Sequence, residues 1–211
     1  MKCKILLLSV IALTSVSVKA QILKGSTYIG GNFSVSAQKN EQDNQNASSF
    51  YVSPSIGKAI KENLIVGVTL NYSNTINKYD LPAPAKSRET DYGAGFFVRK
   101  YLNLVSKFYL FGQGSLGANF SESKNSTGLR PDSKSFSVNL NFYPGIAFEI
   151  NRTFQLEAGL NNLFNVSYQH GKYYPDNSSA QNKFSSFYAS SALDTNNWLS
   201  VGLRVLLNKQ S

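Results

Sequence analysis

Cysteine and histidine are almost absent from this 211-residue chain: there is one of each, Cys3 and His170. Cys3 lies inside a segment that reads as a cleavable leader, so the processed chain is expected to carry no disulfide and no thiolate chemistry. A single histidine with scattered carboxylates is a poor start for a metal site, and Asp132 and Asp176 read as loop residues. Long apolar runs are missing too. Nothing approaches the ~20 consecutive apolar residues of a membrane-spanning helix, and no segment holds a helical period long enough to trust. Charged residues make up only 16% of the chain, which leaves little with which to coat a soluble exterior.

What is present begins with the leader. Lys2 and Lys4 precede an apolar stretch, Ile5–Val18, and Val18-Lys19-Ala20 gives a small-residue exit before Gln21. That three-part pattern predicts a secretory signal peptide over residues 1–20 and a single domain over 21–211. Ser9, Thr14, Ser15 and Ser17 break the stretch and argue against an anchor. No cysteine stands at the exit to take a lipid.

The rest of the chain alternates. In Leu64–Tyr72 one face reads Leu64, Val66, Val68, Leu70, Tyr72. In Phe136–Ile150 the apolar face opposes Ser137, Asn139, Asn141, Tyr143, Gly145, Ala147 and Glu149. Similar splits run through Phe154–Leu160 and Leu199–Leu207, and weaker ones through Thr27–Ser36, Phe50–Lys58, Tyr92–Tyr101 and Phe108–Phe120. This period of two predicts about eight strands, each long enough to cross a bilayer at a tilt. Short joints (Ala59–Asn63, Leu102–Ser106, Asn151–Thr153) alternate with long polar ones (Ala37–Ser48, Asn74–Thr90, Ser121–Ser135, Asn165–Asn197). Such sorting belongs to a barrel standing in an outer membrane, with tight turns in the periplasm and long loops outside. The expected fold is all-β: one antiparallel up-and-down transmembrane barrel.

Aromatic residues gather at strand ends. Phe50, Tyr72, Tyr92, Phe136 and Trp198 fall near the outer ends, and Tyr101, Phe108 and Phe154 near the inner ends. Two girdles at the two interfaces are what amphipathic rings favour. Pro144 costs one ladder hydrogen bond and hints at a bulge.

On these residues the chain resembles the small outer-membrane β-barrel superfamily, the OmpA/OmpX-type eight-stranded barrels. Its Asn-rich strands and long polar loops are similar to those of Bacteroidetes-like bacteria. The run from Ser200 to Leu207 resembles the family's last-strand assembly signal, with Ser200, Gly202, Val205 and Leu207 at its marked positions. The resemblance implies recognition by the barrel-assembly machinery. The chain departs from the pattern by placing Leu207 where an aromatic is usual and by adding Asn208–Ser211.

Four charges fall on the inward faces: Arg99, Glu149, Glu157 and Arg204. They are expected to cluster near the periplasmic end, with Glu157–Arg204 as the central pair. A plug and a gate or proton path are the two readings of that cluster. Some outer-membrane barrels of this size are lipid A-modifying acyl enzymes. His170 with Ser167 and Asp176 is the only grouping that would serve such chemistry, and its spacing matches no known motif.

The formal net charge of +9 looks like a polyanion signal. Along the sequence, however, the long connections carry acids and bases in similar number. The surplus lies at Lys24, Lys58, Lys61, Lys100, Lys107, Arg152 and Lys209, either a basic rim for phospholipid headgroups or solvated turn charge. Nucleic acid is not an expected partner, and no cofactor is implied. The expected protein is a monomeric, non-enzymatic barrel of the bacterial outer membrane, surrounded by its lipids. Loop residues Tyr79, Tyr173, Tyr174, Phe184, Phe187 and Tyr188 either meet a surface or host ligand or pack as a cap. The alternatives are a narrow channel, a lateral route near Pro144, the acyl enzyme, and a soluble periplasmic ligand-binding barrel whose apolar faces would point inward.

Overall fold

Alternation decides the architecture. Because successive side chains of a strand point to opposite faces, a chain patterned with period two must form sheet. A computed structural model describes residues 22–40, 45–79, 85–125, 132–160, 163–174, 181–191 and 199–207. The leader, Trp198 and Asp176 lie outside the described residues. Ten strand segments follow in order: β1 (Thr27–Asn40), β2 (Gln45–Lys61), β3 (Leu64–Tyr79), β4 (Ala85–Val105), β5 (Phe108–Asn125), β6 (Asp132–Glu149), β7 (Phe154–Leu160), β8 (Phe164–Tyr174), β9 (Asn182–Ser190) and β10 (Leu199–Leu207).

All pairings are antiparallel. Strands β1 to β6 each pair with the next, and β7 and β8 share β6 between them, β7 on its last residues and β8 on its first. β9 pairs with β8, β10 pairs with β7, and β10 closes the ring against β1. β7 and β8 are therefore two halves of the seventh barrel strand, and β9 and β10 two halves of the eighth. The result is a closed eight-stranded up-and-down barrel.

The partner of β6 changes between Phe142, opposite Phe164, and Gly145, opposite Gly159. Pro144 sits at that break, where it has no amide hydrogen to lose from the ladder. Its other side is still paired, to Gly112. The ladder at the closure is much shorter. β1 and β10 share only Thr27–Leu207, Tyr28–Leu206 and Ile29–Val205.

The short joints are tight. Asn63 and Ser106, in the connections after β2 and β4, take left-handed φ values of 58° and 46°. The Asn151 carboxamide accepts the amides of Thr153 and Phe154 at 2.8 Å each. The long joints differ from expectation. Strands run on into them, so that β1 reaches Asn40, β3 reaches Tyr79 and β5 reaches Asn125. Much of the stretch expected as the last loop is the paired hairpin β8–β9. Polarity there does not signal loop, because facing hydroxyls and amides bond across the strands, as with Ser36–Ser49 at 2.7 Å and Gln169–Ser135 at 2.8 Å.

The barrel is apolar outside. Phe33, Phe96 and Val201 are about 70% exposed (69, 70 and 68%), while Arg99 and Glu157 are 2% and 1% exposed. The core sits at the short-turn end, where Ile22, Tyr28, Ile65, Phe97, Tyr109 and Phe111 are buried together. The chain before β1 helps to close this end. Gly25 donates to the Ala59 carbonyl at 2.7 Å, and Asn63 exchanges bonds with Ile22 through both backbone and side chain at 3.0 Å.

Candidate functional site

The lumen has two parts, and strand register sets both. In the part nearer the short turns, Arg99 of β4, Glu157 of β7 and Arg204 of β10 all point inward. Glu157 stands between the two guanidinium groups. Its Oε1 accepts from Arg99 Nη1 and, at 3.1 Å, from the Tyr101 hydroxyl; its Oε2 accepts from Arg204 Nε at 3.1 Å. Further bonds tie both guanidinium groups to the wall. Arg99 Nε also donates to Gln113 at 2.8 Å, and Arg204 donates to the Gly31 carbonyl at 2.7 Å and to Asn32 at 3.1 Å. Aromatic rings enclose the Arg99 charge, with its guanidinium carbon 4.4 Å from the centre of Phe111 and 4.9 Å from that of Tyr28. A charge so stripped of water is held only by full pairing and by π faces.

Glu149 stands apart from this cluster. The residue of β6 that faces Glu157 across the ladder is Ala147, and Glu149 lies two residues further along, where it accepts a bond from the Tyr109 hydroxyl at 3.0 Å. Tyr101 also departs from expectation. It is 1% exposed and belongs to the core, not to a girdle. Parity explains the correction: Tyr101 is two residues from Arg99 and must share its inward face. The same signal points to Phe97. The rings of Tyr28 and Phe111, brought in from distant strands, carry no such local mark.

The other part of the lumen is a polar cup. Five asparagines (Asn71, Asn119, Asn139, Asn141, Asn165), with Ser53 and Thr69 among their neighbours, line a cavity of about 250 Å³ that contains no charged side chain. Asn71 donates to Asn119 at 2.6 Å, Asn165 donates to Asn141, and the hydroxyls of Ser53 and Thr69 meet at 3.1 Å.

Girdle positions Phe50, Tyr72, Tyr92, Phe108, Phe136 and Phe154 are exposed on the outer wall. Tyr92 stacks on Phe120 with centroids 5.8 Å apart, and Phe120 contacts Phe136 at 4.9 Å. Cross-strand register carries the same row on to His170. His170 is therefore on a strand, with its Nδ1 2.9 Å from the Ser185 hydroxyl. Ser167, three residues away, faces the other side. His170 and Ser167, the grouping that the acyl-enzyme alternative would need, do not come together.

The last-strand residues have local partners. The Ser200 hydroxyl lies 3.1 Å from that of Tyr143 and donates to the Gly159 carbonyl at 3.4 Å. Val205 pairs with both Ile29 and Phe154, and Leu207 with Thr27. At Gly202 a β-carbon would come within 2.9 Å of Arg204 Nη1, so the missing side chain makes room for the buried guanidinium. Among the described residues no three metal-ligating side chains converge.

No protein-family profile matches the chain, and no curated protein sequence matches it. Solved structures do. The outer membrane protein OprG from Pseudomonas aeruginosa aligns with a TM-score of 0.53 at 12% identity, over 89% of this chain and 98% of that one. Neisserial surface protein A, NspA, aligns with a TM-score of 0.37 at 18% identity, over 85% of this chain and 94% of that one. The likeness to OprG is one of fold: an eight-stranded barrel of the outer-membrane type.

Proposed function

We propose that this chain is a non-enzymatic barrel of the bacterial outer membrane, delivered by a cleaved signal peptide and closed to flow along its axis. The observation that carries this reading is the Arg99–Glu157–Arg204 cluster with its aromatic enclosure. It fills the narrow end of the lumen with large, mutually bonded side chains, as small barrels of eight strands do. Work is then left to the wall and to the tall hairpins, which reach beyond the aromatic row and offer envelope support and surface contact. Within the outer-membrane barrels we group the chain with the OmpA/OmpX type of Bacteroidetes-like bacteria, on its last-strand residues and Asn-rich strands. Ser200, Gly202, Val205 and Leu207 would be read by the barrel-assembly machinery. Planar-bilayer recording tests the closure. No stepwise conductance is expected from the reconstituted monomer, and steady single-channel steps would overturn it.

One observation favours a second reading, transport through the wall. The three-pair ladder between β1 and β10 leaves their remaining edges without a shared ladder among the described residues, and the Arg204 side chain bonds the Gly31 carbonyl in its place. This seam is a better candidate for a lateral route than Pro144. Phe33→Cys and Val201→Cys would face each other if the ladder continued. Oxidising that pair should abolish uptake of a small hydrophobic probe into liposomes if the seam opens; unchanged uptake counts against the route.

A further inference from the structure

In the hairpins the lysines take the outer face, while the acids divide between the two faces. Alternation turns Glu89 and Asp91 of β4 toward the lumen, on the side of Gly95 and Phe97. It turns Lys134, Lys172 and Lys183 outward, on the side of Phe136, His170 and Phe187. Register then sets Lys134 directly opposite Lys172, and Lys172 directly opposite Lys183. Like charges facing each other across strands repel, so such a row needs a counter-charge. Glu122 supplies one to Lys134 at 3.0 Å and also meets Lys124 at 3.4 Å. Asp132, the other outward acid nearby, is opposite Tyr174 and accepts the Asn125 amide at 2.7 Å. Among the described residues, Lys172 and Lys183 have no carboxylate within ion-pair distance.

Lys134 and Lys172, with Glu122 between Lys124 and Lys134, line a groove of about 360 Å³ together with Tyr92, Phe120, Phe136, His170 and Tyr174. One step further down, the wall is bare apolar surface: Val138, Tyr168 and Phe187 are cross-strand neighbours, 37, 49 and 70% exposed. Cations, aromatic row and apolar row thus follow one another along the strands on one side of the barrel. A free phosphate would need only the first of these. A lipid with an anionic head needs all three.

We infer that this face binds a phosphorylated lipid of the outer leaflet, its phosphate on Lys172 and Lys183 and its acyl chains over Val138, Tyr168 and Phe187. The inference rests on the outer-membrane reading above. Its test uses the processed full-length protein in phosphatidylcholine nanodiscs doped with lipid A bearing its phosphates, or with the same lipid dephosphorylated. Native mass spectrometry measures retention. Wild-type protein should retain the phosphorylated form preferentially. K172Q/K183Q should reduce that preference about thirtyfold, roughly fivefold for each lysine near the headgroups. K172R/K183R should keep it, and K58Q at the opposite rim should leave it unchanged. Equal retention of the two lipids by wild-type protein would overturn the proposal without any variant having to fold. So would full preference in K172Q/K183Q whose heat-modifiable migration shows a folded barrel. Displacement of the lipid by millimolar inorganic phosphate would make this a phosphate site and overturn it as well. Reconstitution sets the bilayer regardless of cellular address. Failure here therefore leaves the outer-membrane reading standing, and recovery of the protein in the soluble periplasm would end that reading separately.

Discussion

The two parts of the lumen are built from the same strands yet solve opposite problems. Near the short turns the interior is crowded with Arg99, Glu157, Arg204, Tyr28, Tyr101 and Phe111, all nearly without solvent exposure. Beyond them it is lined by asparagine, serine and threonine around open space. The first arrangement gathers charge and removes water, so each group depends on every other. The second spreads weak neutral bonds, and water can replace any one of them. Stability should therefore be concentrated in the first part and diffuse in the second.

Glu157→Gln is the sharpest way to break that contrast. It leaves two buried guanidinium groups sharing no anion, and removing one partner of a buried ion pair costs about 3–5 kcal/mol. The loss should appear as a lower midpoint in heat-modifiability gels. Replacing Arg99, Glu157 and Arg204 together by Met, Leu and Met should recover most of it, since no charge is then left unpaired. A Glu157→Gln midpoint equal to wild type would show that the crowded part is not where the barrel is held.

Gly202→Ala and Gly30→Ala probe the same cluster by crowding it. A β-carbon at Gly30 would lie 2.6 Å from the Tyr28 hydroxyl and 2.8 Å from Arg204 Cδ, whereas one at Gly202 meets only Arg204, 2.9 Å from Nη1. Overpacking of this kind costs roughly 1–3 kcal/mol; the cost at Gly202 should shrink when Arg204 is already Met, and that at Gly30 should persist in part because Tyr28 remains. An additive loss in the Gly202→Ala/Arg204→Met double variant would mean that Gly202 matters for another reason, such as backbone approach.

In the polar cup the expected effects are smaller. Asn71→Ala removes the 2.6 Å bond to Asn119, a loss of about 1 kcal/mol for a bond whose partner can turn to water. Asn119→Ala should cost about the same, and the double variant little more than either single one. A loss at Asn71 as large as that at Glu157 would erase the distinction between the two parts.

How legible these parts were differs for a physical reason. Period two marks which face a residue takes, so the inward set of Arg99, Glu157 and Arg204 and the outward Phe136 and Tyr92 could be read directly. Height along the barrel depends on register, which is fixed by pairing between distant strands. That is why Glu149 looked like a neighbour of Glu157 and is not, and why Arg99 proved to be a direct partner of it. Tyr101 lies near a strand end, where girdle rings gather, but its parity with Arg99 turns it inward. The hairpins have the polarity of loops, yet polar strands pair as well as apolar ones when hydroxyls face amides.

The smallest effect lies beyond the aromatic row, where the inner and outer faces of the rim should respond to acid with opposite sign. Glu122, outward, has its carboxyl held below the usual range, chiefly by its hydrogen bond to Lys134 and further by the charge of Lys124. Its contribution is therefore present above the ordinary glutamate range and is lost as pH falls through the depressed value. Glu89, inward, is pushed up by burial first and then by its neighbour Asp91. Its ionisation costs stability at neutral pH, and that cost lifts as pH falls through the raised value toward the ordinary one. On mild acidification Glu89 protonates first, so amide exchange in the rim strands of β4 should slow before exchange at Glu122 and Lys134 accelerates. Glu89→Gln should remove the first phase alone, and Glu122→Gln the second. A single phase common to both variants would mean that the two faces of the rim titrate as one unit, and the sorting of charge by face would then have no energetic consequence.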